Sequence, residues 1–245
     1  MKLTAQDTAN LSSILSTCLL GGIESIVIED GYVRGLSENK TFAIISNFNI
    51  PKFPCRIGLA RIASLKQRLE LFVNNAATVI EAKESERGDI STLDISAGRS
   101  KVQFRCTSPM LIKAPKTIND EEAFKIFASR EELKMVLNAV KVMGGKDVQL
   151  VIKKDRSVSF SLSDASNDVF NSSLETPCEL LGEEQDSVVH YYHSDIFLAV
   201  MRAGIEANDS VVFTVGEVGT IRSEVNGHSV VMFSKIDVDS QDEEE

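Results

Sequence analysis

Six basic side chains carry the strongest chemical signal in this 245-residue chain: Arg61, Arg68, Arg130, Lys134, Lys141 and Arg202, each in a stretch with helical apolar spacing. Cations set in such rows attract anions without reacting with them, so the chemistry they offer is charge neutralisation. The residue types that could make or break bonds are less well placed. His190 and His193 stand three apart in HYYH; in an alternating strand these positions point to opposite faces, and no nearby cysteine completes a metal site. Cys18, Cys55, Cys106 and Cys178 form no CxxC pair, which reads as free thiols in a reducing cytoplasm and not as a disulfide framework or zinc site. No serine sits in GxSxG or SxxK, and no glycine run resembles a phosphate loop. The sequence thus supplies no nucleophile with its base, implies no cofactor and no metal, and points away from an enzyme.

The helices that carry the cations are legible from period and punctuation. In Ser129 to Gly145, Ser129 with Glu132 forms a capping box and Gly144-Gly145 supplies the left-handed stop. Leu133, Val136, Leu137, Val140 and Met143 share an apolar face, while Arg130, Lys134, Asn138 and Lys141 line an adjoining stripe suited to something anionic. Asp7 to Leu20 is a second capped helix ending in Gly21-Gly22, and the offset 144 − 21 = 123 is half the chain. Gly58 to Phe72 reads as a helix with Ile62, Leu65, Leu69 and Phe72 inward and Arg61, Ser64 and Arg68 beside them; Ser194 to Arg202 reads as a short fourth helix. These basic rows have two readings: ordinary solvated helix faces, or faces turned to phosphates.

Strands fill the spaces between. Around the first two helices they are expected near Leu3, at Ile23 to Glu29, Tyr32 to Leu36, Thr41 to Phe48, Thr78 to Ala82, Ser91 to Ile95 and Lys101 to Cys106, with Asp30-Gly31 a hairpin turn. The second half repeats the order from Ala123 to Phe127 onward and includes a strong hairpin signal at Asn226-Gly227. The expectation is an α+β chain of two tandem domains, 1–108 and 122–238, each running strand, helix, three strands, helix, three strands. A proline-containing connector (109–121) joins them, and an acidic tail (239–245) follows. Within the connector Met110, Leu111 and Ile112 are either a buried crossing or a groove for a partner.

The net charge of −10 gives nucleic acid no support in the total, so a basic function must come from cations sorted onto one surface. No apolar run reaches the length of a membrane span, and Met1 leads into a capped helix and not a signal segment, which reads as a soluble chain with no membrane partner.

The duplicated order over residues 1–236 resembles the DNA sliding clamps. The opening MKLTAQDTANL looks like the start of the tailed-phage polymerase processivity factors, and the closing VVMFSKID looks like the last strand of the proliferating cell nuclear antigen type. The resemblance implies a homotrimeric ring with helices inside and sheets outside, no chemistry of its own, and a place in the cytoplasm, that of a bacterial host if the chain is phage-encoded. It implies double-stranded DNA as a partner without sequence preference, a replicative DNA polymerase as client, an ATP-driven clamp loader, and in phages a role in late transcription. Held in a ring, Arg61, Arg68, Arg130, Lys134, Lys141 and Arg202 would meet phosphates and leave base edges unread. The first helix departs from that pattern, with Asn10, Ser12, Ser13, Ser16 and Thr17 on its polar side.

The same resemblance places partner tails beside Met110, Leu111 and Ile112 and near Phe233 and Ile236. It also leaves two unpaired edge strands to meet across subunits: Lys101 to Cys106, with Lys101, Val102, Phe104 and Arg105, and Asp168 to Leu174, with Asp168, Val169 and Phe170. Lys101 and Arg105 would face Asp168 and Glu175 there. The competing expectation from another class is a two-domain adapter that binds peptide tails and never encircles DNA.

Overall fold

The computed structural model describes residues 1–72, 78–86 and 88–235; Ile236 and the acidic tail lie outside them. The chain divides into two compact units, Met1–Ile118 with Val225–Val230, and Asn119–Glu224 with Val231–Glu245.

The first unit runs β1 (Lys2–Leu3), α1 (Ala5–Leu20), β2 (Ser25–Glu29), β3 (Tyr32–Leu36), β4 (Phe42–Ser46), β5 (Ile57–Ala60), α2 (Ile62–Glu70), β6 (Val79–Glu84), β7 (Ile90–Ala97) and β8 (Ser100–Arg105). Its strands form two antiparallel sets, β1-β6-β7-β8 and β4-β3-β2-β5. Thr4 caps α1 through a box with Asp7, where the Asp7 amide donates to Thr4 Oγ1 at 3.0 Å and the Thr4 amide to Asp7 Oδ2 at 3.1 Å. Such a cap stabilises a helix by about 1 kcal/mol. Leu11, Ile14, Leu15 and Cys18 point inward from α1, and Ile62, Leu65 and Leu69 from α2.

The second unit runs β9 (Glu122–Ser129), α3 (Arg130–Met143), β10 (Asp147–Ile152), β11 (Val158–Ser163), β12 (Val169–Ser173), β13 (Glu179–Leu180), β14 (Val188–His193), α4 (Ser194–Ala207), β15 (Ser210–Gly216), β16 (Ile221–Val225) and β17 (His228–Met232), whose residues 228–230 group with the first unit. Its sets are β12-β11-β10-β14 and β13-β9-β15-β16. Helix α3 packs on β9, β11 and β12 while α4 packs on β10, β14 and β15, so the helix pair covers both sets. Strict alternation makes that possible: Val148, Leu150 and Ile152 of β10 are buried under the helices while Gln149 and Val151 face away. The repeat expected from the sequence is present, with two strands more than expected, β5 ahead of α2 and the short β13 in the second half.

Two boundaries and one helix face differ from expectation for identifiable reasons. Gly58 to Phe72 is not one helix: Ile57–Ala60 pairs with β2, and Arg61, left-handed at φ 56° and ψ 46°, breaks the chain before α2. Apolar residues at 57, 59, 62 and 65 satisfy a strand followed by a helix as well as they satisfy a helix alone. Helix α4 continues past Arg202 to Ala207, because Met201, Gly204 and Ile205 extend the buried face. On α1, Ser13 and Thr17 do not belong to an outward hydroxyl face; within the first unit Thr17 accepts from Asn226 Nδ2 at 3.1 Å, and Ser13 Oγ lies 3.4 Å from His228 Nε2.

His228 is buried between Ser13 and Ser46, with Phe48 edge-on at 5.8 Å, and burial pushes its imidazole below the ordinary value. The unfolded chain then takes up the proton more readily. The stability contribution is complete above the unfolded value, about 6.5, and is lost as pH falls toward the folded one. Burial lowers His190 in the second unit likewise, against an opposing pull from Asp120. Melting temperatures measured between pH 7.5 and 5 are expected to fall with pH, and His228→Gln to flatten that slope.

Candidate nucleic-acid interface and docking site

In the second unit α3 and α4 border an open groove floored by Leu137 and Ile205, with Arg130, Lys134, Lys141 and Arg202 along its walls beside Asn138 and Glu206. The Ser129 cap fixes the helix start, with the Ser129 amide donating to Glu132 Oε2 at 2.7 Å, and Gly144 at φ 63° ends the helix. Lys134 and Lys141 are seven residues apart on α3, so they repeat on one line of the exposed face. The four cations differ in freedom. Arg130 is turned to the end of α4, donating to the Asn208 carbonyl at 3.1 Å and meeting Asp209 at 3.2 Å. Arg202 meets Glu206 at 2.9 Å. Among the described residues no carboxylate pairs with Lys134 or Lys141, which leaves them the most available for an anionic ligand.

In the first unit Arg61, at the junction before α2, and Arg68, in its last turn, both reach the ring of Phe104 on β8, at 5.6 and 5.4 Å from its centroid. Phe104 is completely buried. This corrects its expected role as a side chain offered to a neighbouring subunit: it is a core residue of its own unit. The strand pattern SKVQFR carries the signal, since Val102 and Phe104 fall on one face and Lys101, Gln103 and Arg105 on the other.

The connector begins with a single 3₁₀ turn, Pro109–Leu111, seated on β5. The sequence left its apolar triplet between two readings, and the residues divide. Met110 and Leu111 are 80% and 78% exposed, while Ile112 is half-buried over Gly58. Thr107 donates to the Gly58 carbonyl at 2.9 Å, and a Cβ on Gly58 would stand 2.4 Å from the Thr107 carbonyl oxygen. Gly58→Ala is therefore expected to cost about 1–3 kcal/mol of the first unit's stability and to lift the turn. Met110→Ser with Leu111→Ser should leave the stability within about 0.5 kcal/mol of the parent, as surface changes do, and the pair of results read by thermal melts separates seat from display. Phe233 follows β17 and is half-buried, and Ile236 lies outside the described residues.

Strands β8 and β12 are edges of their sheets. In the β7–β8 hairpin the closing pair Ala97↔Ser100 and the Cys106 amide on the Ser91 carbonyl fix which pairs exchange hydrogen bonds. By alternation the amides of Lys101, Gln103 and Arg105 point away from β7. The same reasoning from Asp164↔Asp168 and from Leu174 donating to Val158 turns the amides of Val169, Asn171 and Ser173 away from β11. Lys101 does not wait for a carboxylate on another chain: it meets Asp94 at 2.9 Å, with Lys83 at 2.6 Å and Gln103 donating at 3.0 Å. Bonds from Lys83 and then Lys101 hold that buried carboxyl far below the usual carboxylate range. Arg105 is exposed, Val169 is 61% exposed and Phe170 half-buried, with Asp168 exposed at the turn before them.

The residue types with reactive potential are quiet. Burial raises all four thiols, Cys106 to about 12, so none is a thiolate at neutral pH. His190 pairs with Leu150 and His193 with Asp147, on opposite faces of β14. Among the described residues no helix is long and apolar enough to cross a membrane.

Two similar units in one chain, each with two four-stranded sets beneath a helix pair, have the architecture of the sliding clamps of the proliferating cell nuclear antigen (PCNA) type. No protein-family model matches the chain, and no curated protein sequence matches it. Among solved structures it is similar to the PCNA2–PCNA3 complex of Sulfolobus tokodaii, at 14% identity over 96% of this chain and 99% of that one, with a TM-score of 0.62. It is similar also to the PCNA of Entamoeba histolytica, at 10% identity, 96% and 98% coverage and a TM-score of 0.66. A third likeness is to A. fulgidus PCNA bound to the C-terminal region of FEN-1, at 14% identity, 96% and 97% coverage and a TM-score of 0.61. At these identities the likeness is one of fold.

Proposed function

We propose that this chain is a DNA sliding clamp, a non-enzymatic scaffold that encircles duplex DNA and tethers a polymerase to it. The observation that carries the reading is the sorting of charge: a chain of net charge −10 gathers four cations along one α3–α4 groove, two of them without a carboxylate partner among the described residues. Such a surface neutralises phosphates and ignores base edges, which is what movement along DNA requires. A client held by a weak contact to an encircling protein stays at high effective concentration, so processivity follows from topology. The exposed Met110 and Leu111 of the first unit are offered to client tails, polymerase included; for Phe233 and Ile236 that role rests on the resemblance alone.

Three copies are proposed to close the ring through β8 and β12, whose outward amides can extend one ladder from chain to chain. An ATP-driven loader would open it. A tailed-phage source, with a part in late transcription, rests on the resemblance of the opening and closing strings. Hydrodynamic mass with and without nicked circular DNA tests the reading. A trimer retained on circles and lost from linear ends is expected; a monomer under both conditions overturns the clamp in favour of a two-domain peptide adapter.

A further inference from the structure

We infer that Phe104 is a positioning residue for the phosphate contacts of α2: its ring holds the Arg61 and Arg68 guanidiniums in place, tying the charge on the helix to the edge strand β8. The inference rests on the clamp reading for its function but on geometry for its substance. Both guanidinium carbons lie within 5.6 Å of one ring centroid. The ring is wholly buried, so its face is withdrawn from water, where a guanidinium gains most from the ring quadrupole. Guanidinium is planar and weakly hydrated, which suits it to resting on an aromatic face while its edge remains free to donate. Two cations sharing one ring repel each other, and the ring quadrupole offsets that repulsion.

The backbone supports the same assignment. Arg61 adopts a left-handed conformation at φ 56°, which L residues avoid, at the junction of β5 and α2. From that junction its side chain meets the same ring that Arg68 reaches from the last turn of the helix. A flexible arginine must be ordered when it meets a phosphate; one already resting on Phe104 gives up less freedom. Phe104 therefore acts on DNA binding through two other residues and touches no DNA itself.

The test places 3,4,5-trifluorophenylalanine at position 104 of the full chain, which withdraws charge from the ring face while nearly keeping its shape. Readouts are the ¹⁵N-detected Nε–H signals of Arg61 and Arg68, the lifetime on nicked circular DNA, the oligomeric state and the melting temperature. Fluorination is expected to speed Nε–H exchange and to shorten the DNA lifetime about threefold, with assembly and melting unchanged; Phe104→Leu should act in the same direction. A purely structural role would leave the Nε–H signals and lifetime of the fluorinated protein as they were, and that result overturns the inference. If the unmodified protein is not retained on circles, the clamp reading fails separately, and the Nε–H signals alone still decide whether Phe104 holds the arginines. If Arg61→Ala with Arg68→Ala shortens the lifetime but fluorination does not, the arginines bind DNA without help from the ring and the inference is overturned while the clamp stands.

Discussion

Proline at Gln103 is expected to yield folded chains that no longer assemble. The Gln103 amide points away from β7, so its loss breaks no hydrogen bond of the β7–β8 hairpin. Its side-chain bond to Asp94 is lost as well, yet Lys83 and Lys101 remain on that carboxylate. What disappears is one donor of the open edge, and the proline ring obstructs its neighbours. Val102→Pro is the informative contrast, because the Val102 amide faces β7 and its removal should damage the unit itself. Lys101→Ala should barely weaken assembly: its partner lies within its own chain, and Lys83 and Gln103 remain on that carboxylate. Sedimentation at several concentrations reads the outcome, and a Gln103→Pro protein that remains trimeric would remove β8 from the contact.

Reversing Lys134 and Lys141 to Glu together should produce the second large effect. Each phosphate contact contributes about 0.9 to the slope of log affinity against log salt, so losing two lowers it by about 1.8 and costs about tenfold in retention at moderate salt. Both side chains are exposed and unpaired among the described residues, which keeps the change local to the groove. The arginines are poorer probes. Reversal of Arg130 also removes its hold on the Asn208 carbonyl, and Arg202 is already partly neutralised by Glu206. Lifetimes on nicked circles across a salt series measure the effect, and an unchanged slope would take α3 off the DNA.

Much of this was legible in the sequence because its signals are local. The capping box at Ser129 and Glu132, the glycine stop at Gly144 and the Asn226-Gly227 turn, both residues at positive φ, are each written within four residues. The half-chain repeat made the architecture readable from spacing. What escaped depended on distant partners. Nothing near Lys101 announces Asp94, seven residues back across a hairpin, as its mate. Nothing near Thr17 announces Asn226. The start of α2 was misplaced because one apolar series serves a strand and a helix equally, and the break falls on Arg61, a residue type without special liking for left-handed backbone.

The alternation that sends Gln103's amide outward and Phe104's side chain inward has a consequence for heredity. A hydrogen bond between two backbones is inherited without any side chain being specified, so a lineage can rewrite most of β8 and keep every rung. Selection sees little there beyond two prohibitions: no proline where an amide is owed, and no polar residue on the buried face. Phe104 falls under the second, and its exposed neighbour Arg105 falls under neither. A scaffold built mainly of such rungs can take one fold with very different letters, which is the physical content of a whole-chain likeness of fold at 10–14% identity.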